Sequence, residues 1–184
     1  MKRKIAICLA MLMLWMPYSA VKAMPEVSSH SACVIDIDTG RILAAKNENE
    51  KSEPASITKI MTALIALENA DIKKVVTIPS AAAGVEGSSI YIKAGEKYSL
   101  EDLLYGLMLR SGNDAATAIA IDVAGSVDAF VEKMNQRAAE LGMGDTHFVN
   151  PTGLPAEGHV TSAYDIAIMS RELILHHPDI RRFT

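Results

Sequence analysis

The stretch from Ala55 to Asn69 constrains this chain more than any other, because it is apolar on nearly every side of a helix. Ile57, Ile60, Met61, Ala63, Leu64, Ile65, Ala66 and Leu67 leave no polar stripe for water, and such a helix packs at the centre of a domain. Pro54, just ahead, suits a first helical turn, where its missing N–H costs no hydrogen bond. The few polar side chains in this helix therefore need a reason to be there. Ser56 and Lys59 stand three residues apart near its start and so share one side. A serine hydroxyl is a weak nucleophile until a neighbouring base takes its proton, and a lysine becomes that base when burial lowers its pKa. The N–H groups of a helix start would also favour a developing oxyanion. The same pair fits a capping serine with a lysine that snorkels to the surface. Ser19 and Lys22 repeat the spacing, so the pair alone decides nothing.

Around this helix the sequence predicts a mixed α/β domain. Ser31–Ile37 and Arg41–Ala45 are β-branched, apolar stretches on either side of Asp38-Thr39-Gly40, a hairpin pattern. Val75–Ile78 and Ser89–Ile92 read as short strands. Ser99-Leu100-Glu101-Asp102 is a capping box that opens a helix carrying Leu100, Leu103, Leu104 and Leu107 and stopping at Ser111-Gly112. Asn113 or Asp114 would cap the next helix, to about Ala124. Ser126 would cap another, to Leu141, with Gly142 as its terminator. After a Gly- and Pro-rich loop, Ser162-Ala163-Tyr164-Asp165 is a second capping box, for a helix ending before Pro178.

The first residues are set apart from this domain. Lys2, Arg3 and Lys4 precede an apolar run from Ile5 to Met16, and Val21-Lys22-Ala23 has the small-x-small form of a signal-peptidase site. Such a run rises only about 18 Å as a helix, short of a hydrocarbon core of about 30 Å. Residues 1–23 are therefore expected to be a cleaved signal peptide, with residues 24–184 as the exported domain. Cleavage would remove four basic residues and no acid, moving the net charge from −4 to −8. A chain so acidic, without basic clusters, excludes nucleic acid as its partner. Cys8 lies within the signal, which leaves Cys33 without an internal disulfide partner; Ala32-Cys33-Val34-Ile35 reads as a buried strand with the thiol as a small hydrophobe.

A second polar element, Ser111-Gly112-Asn113, falls in a turn between two helices. A hydroxyl and an amide held there could relay a proton and bind a peptide carbonyl, although Ser, Gly and Asn also mark helix ends. The order Ser-x-x-Lys then Ser-x-Asn, 55 residues apart, is a mark of penicillin-binding proteins and serine β-lactamases. Longer stretches agree. Val34-Ile35-Asp36-Ile37-Asp38-Thr39-Gly40, Pro54–Ala63, Leu103–Ala116, His147–Leu154 and Thr161–Asp165 resemble the low-molecular-weight D-alanyl-D-alanine carboxypeptidases, from about residue 30 to the last.

That resemblance implies the β-lactamase/penicillin-binding-like fold and a two-step acyl transfer. Ser56 would be the nucleophile and Lys59 its base. Ser111 would pass a proton to the leaving D-alanine, and Asn113 would bind the acyl-side amide. The substrate would be a peptidoglycan stem peptide ending in D-Ala-D-Ala. β-Lactam antibiotics would acylate the same serine, and neither metal nor organic cofactor is expected. Action would be extracytoplasmic, with membrane attachment only through a further C-terminal tail.

The family's third element, Lys-Thr-Gly on an inner strand, occurs nowhere in the 184 residues. The resemblance therefore implies a partial domain that lacks its C-terminal strands, with little activity alone, or a module that recognises peptidoglycan without cutting it. A β-lactamase of the class that uses a glutamate base is disfavoured, since Glu132, Glu140, Glu157 and Glu172 lie in no Glu-x-x-Leu-Asn setting. Asp38-Thr39-Gly40 matches the aspartic-protease triplet but suits a hairpin turn with glycine supplying the backbone angle. His147, His159, His176 and His177 lack the spacing of paired helical metal ligands, so packing or surface roles are expected.

Overall fold

The computed structural model describes residues 26–184; the expected signal peptide lies outside them. The chain opens with an antiparallel hairpin of β1 (Ala32–Ile35) and β2 (Ile42–Lys46). The long apolar stretch becomes α1 (Lys59–Asn69), preceded by a separate 3₁₀ turn over Ala55–Thr58. A second ribbon pairs β3 (Val75–Thr77) with β4 (Lys97–Ser99). Four helices follow: α2 (Leu100–Arg110), α3 (Asn113–Ala124), α4 (Val127–Glu140) and α5 (Ala163–His176).

As expected, α1 lies at the centre: Met61, Ala63, Leu64 and Ala66 are wholly buried. It shares that position with α3, which packs on α1, α2 and α4. Every residue of α3 from Asn113 to Ala120 is buried, and Ala115, Ala116, Ala118 and Ala120 let its neighbours approach closely. Helix α2 seats Leu100, Leu103, Leu104 and Leu107 in the same core, each contributing about 1.5–3 kcal/mol by burial. Helix α5 covers β1, and Arg171 fastens the hairpin tip through the carbonyls of Ile37 (2.6 Å) and Asp38 (2.7 Å).

Several local expectations are corrected. Ser89–Ile92 is not a strand, because its backbone donors turn inward to the Asp114 carboxylate and β3 pairs with residues 97–99 instead. Neither Asn113 nor Asp114 caps α3; Gly112 holds that position, and both polar residues sit buried in the first turn. Ser162 does cap α5, accepting from the Asp165 N–H, but the box does not close. The Asp165 carboxylate instead accepts from Asp145 N–H (2.9 Å) and Thr146 Oγ1 (2.7 Å) in the preceding loop. Cys33 is only half-buried, since Val34 beside it is 50% exposed and the hairpin covers one face alone. The capping boxes at Ser99 and the cap at Ser126 are as expected.

Candidate active site

Ser56 lies in the 3₁₀ turn ahead of α1 and is exposed, while Thr58 occupies the cap position of α1. Ser56 is therefore no helix cap. Its predecessor, Ala55, has φ +46°, a left-handed value that costs a non-glycine residue about 1–2 kcal/mol. Lys59 does not snorkel to water; it is 3% exposed. Its Nζ donates to the Thr152 carbonyl at 2.6 Å and stands 3.5 Å from Ser56 Oγ. Burial pushes its pKa down to about 8. At pH 7 about a tenth of such an amine is neutral, against about three in ten thousand for an ordinary lysine. A neutral amine tethered to Thr152 keeps a lone pair that can take the Ser56 proton.

The Thr152 carbonyl belongs to a tightly organised segment. Asn150 Oδ1 accepts from Thr152 N–H, Thr152 Oγ1 and Gly153 N–H, while Asn150 Nδ2 donates to the Leu154 carbonyl. Thr62, one turn after Lys59, donates its hydroxyl to the Pro151 carbonyl at 2.7 Å. Gly153, at φ +83°, lies so close to the 3₁₀ turn that a Cβ there would stand 1.8 Å from the Ala55 carbonyl oxygen. No side chain fits between them. Behind the turn, Thr58 Oγ1 and His159 Nε2 are 2.8 Å apart, and His159 Nδ1 accepts the Val149 N–H at 3.1 Å.

The second wall is the corner between α2 and α3. Ser111 ends α2 in a left-handed conformation (φ +55°, ψ 35°), and its buried Oγ has no hydrogen-bond partner within the described residues. Asn113 is 4% exposed; its N–H donates to the Ser88 carbonyl (2.7 Å) and its Nδ2 to the Glu86 carbonyl (2.6 Å). A Cβ on Gly87 would meet both Asn113 Nδ2 and the Leu154 side chain, so the Asn113 amide and the 150–154 segment converge on one place. The wholly buried Asp114 anchors this wall from behind. Its carboxylate accepts from Ser89 Oγ (2.6 Å) and from the N–H groups of Ile90, Ile92 and Ala115. Burial alone would raise its pKa, but these donors outweigh burial and the value falls below the ordinary carboxylate range.

The structure thus brings Ser56 and Lys59 together and sets Asn113 against the segment that holds Lys59; Ser111 Oγ bonds to none of them. Thr152, Asn150 and Asp114 were not singled out from sequence as site residues, and His159 was expected only in a packing or surface role. Asp114 left a trace there as a candidate cap, and Asn150 and Thr152 only as part of the His147–Leu154 stretch. Asp38-Thr39-Gly40 forms the hairpin turn, with Gly40 at φ +74° and Asp36, not Asp38, accepting from Thr39. Of the remaining histidines, His176 pairs with Glu172 (3.1 Å), His177 lies 3.9 Å from Glu68, and the His147 backbone bridges Val160.

Helices enclosing a lysine-bearing helix start, with a Ser-Gly-Asn corner beside it, define the penicillin-binding, DD-peptidase class of fold. Two solved structures superpose on the chain closely. The D-alanyl-D-alanine carboxypeptidase DacD from Francisella tularensis has a TM-score of 0.82 and 38% identity, over 84% of this chain and 39% of that one. Penicillin binding protein 6B from Escherichia coli has a TM-score of 0.81 and 38% identity, over 86% of this chain and 53% of that one. The D-alanyl-D-alanine carboxypeptidase DacF of Bacillus subtilis is 46% identical over 159 residues. That match covers 84% of this chain but 41% of DacF, so the chain spans about two fifths of that relative. Residues 18–184 match peptidase family S11, and the chain belongs to these D-alanyl-D-alanine carboxypeptidases.

Proposed function

We propose that the chain carries the acylation half of a serine D-alanyl-D-alanine carboxypeptidase. The observation that supports this most directly is the buried Lys59 amine, 3.5 Å from the exposed Ser56 hydroxyl, with its pKa lowered to about 8. Ser56 Oγ attacks the carbonyl between the two terminal D-alanines of a peptidoglycan stem peptide, and Lys59 takes its proton. Ser111 relays that proton, giving its own to the departing D-alanine nitrogen as the C–N bond breaks and taking one back from the Lys59 ammonium, which is thereby returned to the neutral amine. Asn113 holds the acyl-side amide. Water then hydrolyses the ester on Ser56, releasing a peptide one residue shorter. A β-lactam, whose strained amide mimics the same carbonyl, acylates Ser56 likewise; one relative is itself named a penicillin binding protein.

Stem peptides lie outside the cytoplasmic membrane. Residues 1–23, read as a cleaved signal peptide, suit export to that side. The 184 residues contain no Lys-Thr-Gly, the element expected to hold the substrate carboxylate and to supply one oxyanion donor. One lost donor costs about 10²–10³ in kcat. These residues alone are therefore expected to acylate and turn over slowly.

A fluorescent penicillin tests the assignment. Capture that is stoichiometric and abolished by Ser56→Ala supports it, whereas capture surviving that substitution refutes it. Release of D-alanine from diacetyl-Lys-D-Ala-D-Ala then measures turnover. A second reading, a module that recognises peptidoglycan without cutting it, draws on the absent Lys-Thr-Gly; it predicts sacculus binding with no covalent capture.

A further inference from the structure

His159 is 2% exposed and, with Thr62, ties the start of α1 to the segment that faces it. Its Nδ1 accepts the Val149 N–H, so that nitrogen carries no proton. A neutral ring then bears its proton on Nε2, which donates to Thr58 Oγ1 at 2.8 Å. Thr58 directly precedes Lys59. Val149 begins the segment whose Pro151 and Thr152 carbonyls receive Thr62 and Lys59. Phe148 packs edge-on against the imidazole, with ring centroids 5.9 Å apart, and fixes its plane.

We propose that His159, as a neutral imidazole, is a positioning residue for Lys59: by tying Thr58 to Val149 it holds the Thr152 carbonyl on the lysine amine. It touches neither substrate nor the reacting atoms. The reading rests on Lys59 being the base of the acyl transfer, but the tether itself does not. Protonation of Nδ1 would set a donor against the Val149 N–H and break the bridge. The surroundings oppose that protonation. Burial lowers the His159 pKa first and the neighbouring His147 lowers it further, against a smaller upward pull from Glu53. Glu53 and Glu157 line the shallow recess beside the ring. Since the folded value lies below the ordinary 6.5, the bridge persists at neutral pH and is lost on acidification below that range.

NMR titration of the full 184-residue chain tests this without requiring catalysis. In the wild type, protection of the Val149 amide against exchange should fall with the same midpoint as protonation of the His159 ring, below 6.5. Different midpoints, or a ring protonated on Nδ1 at pH 7, would overturn the proposal. Burial is what lowers the Lys59 pKa. By loosening the segment that covers the amine and letting water reach it, His159→Ala should raise the Lys59 titration midpoint from about 8 by about one unit, leaving about tenfold less neutral amine at pH 7. His159→Asn keeps an acceptor near the Nδ1 position and should restore most of the shift. A His159→Ala chain that melts earlier but titrates Lys59 as the wild type does would reduce His159 to packing. Where penicillin capture works, its rate at pH 7 should fall about tenfold in His159→Ala. Where capture fails in every variant, the acyl-transfer reading falls while the lysine titration still decides the tether.

Discussion

The two walls of the site are built alike at the back and differently at the front. Each is anchored by polar groups that bond to backbone: half-buried Asn150 and buried Thr62 and His159 behind Lys59, and buried Asp114 behind Asn113. At the front, the lysine wall is complete, with Lys59 Nζ already seated on Thr152. The serine wall is not, since Ser111 Oγ is buried without a partner among the described residues. Both motif serines also adjoin strained backbone, at Ala55 and at Ser111 itself. A half that positions its base unaided, beside a half that leaves its relay hydroxyl unbonded, separates what folding satisfies from what binding must satisfy.

Breaking the backs of the two walls gives the largest effects. Gly153→Ala would drive a Cβ into backbone, the Ala55 carbonyl oxygen at 1.8 Å and its carbon at 2.4 Å, where no side-chain rotation relieves the clash. A loss of about 4 kcal/mol is expected from the urea midpoint. Asp114→Ala leaves the N–H groups of Ile90 and Ile92 buried without an acceptor, and should cost about 3 kcal/mol. If Asp114→Ala proved nearly neutral, the serine wall would lack the buried anchor that makes its back like that of the lysine wall.

The base itself sharpens the contrast through pH. The folded chain holds Lys59 at about 8, below its ordinary 10.5, so it favours the neutral amine. The capture rate should thus climb about tenfold per pH unit up to about 8 and level off above it. The same sign makes Lys59 a cost to stability that grows as pH falls from 10.5 to about 8 and stays constant below that. A pH-independent rate between 6 and 9 would remove Lys59 from the role of base.

Much of this arrangement was legible in the residues, and the reason is periodicity. An all-round apolar helix could only be central, and a serine and lysine three apart at its start came together even though the serine lies in the 3₁₀ turn ahead of it. Capping serines at 99, 126 and 162 act locally, so their positions followed from their own neighbours. What stayed illegible depends on long-range bonding. Ile90 and Ile92 have strand chemistry, but a carboxylate 22 and 24 residues later takes their N–H groups. Asp165 has box chemistry, yet a loop 20 residues earlier claims its oxygens. Thr152 serves Lys59 through its backbone carbonyl, which no side-chain pattern encodes. The 3₁₀ turn at Ser56 likewise lies against Gly153, a close backbone approach to Ala55 across 98 residues of sequence.

The smallest expected effect separates the walls most cleanly. Ser111→Ala removes a buried hydroxyl that has no partner among the described residues, and leaves the backbone of the corner, φ +55°, as it was. An unpaired buried hydroxyl costs about 1–3 kcal/mol, so deleting it should leave stability unchanged within about 0.5 kcal/mol or raise it by about 1. The equivalent deletion on the other wall, Thr62→Val, strips the Pro151 carbonyl of its donor and should lower stability by about 1–2 kcal/mol. Penicillin capture should reverse the order, with Ser111→Ala impairing it more than Thr62→Val does. If Ser111→Ala destabilised the chain as Thr62→Val does, its hydroxyl would belong to the fold, and the site would have no front left open for a ligand.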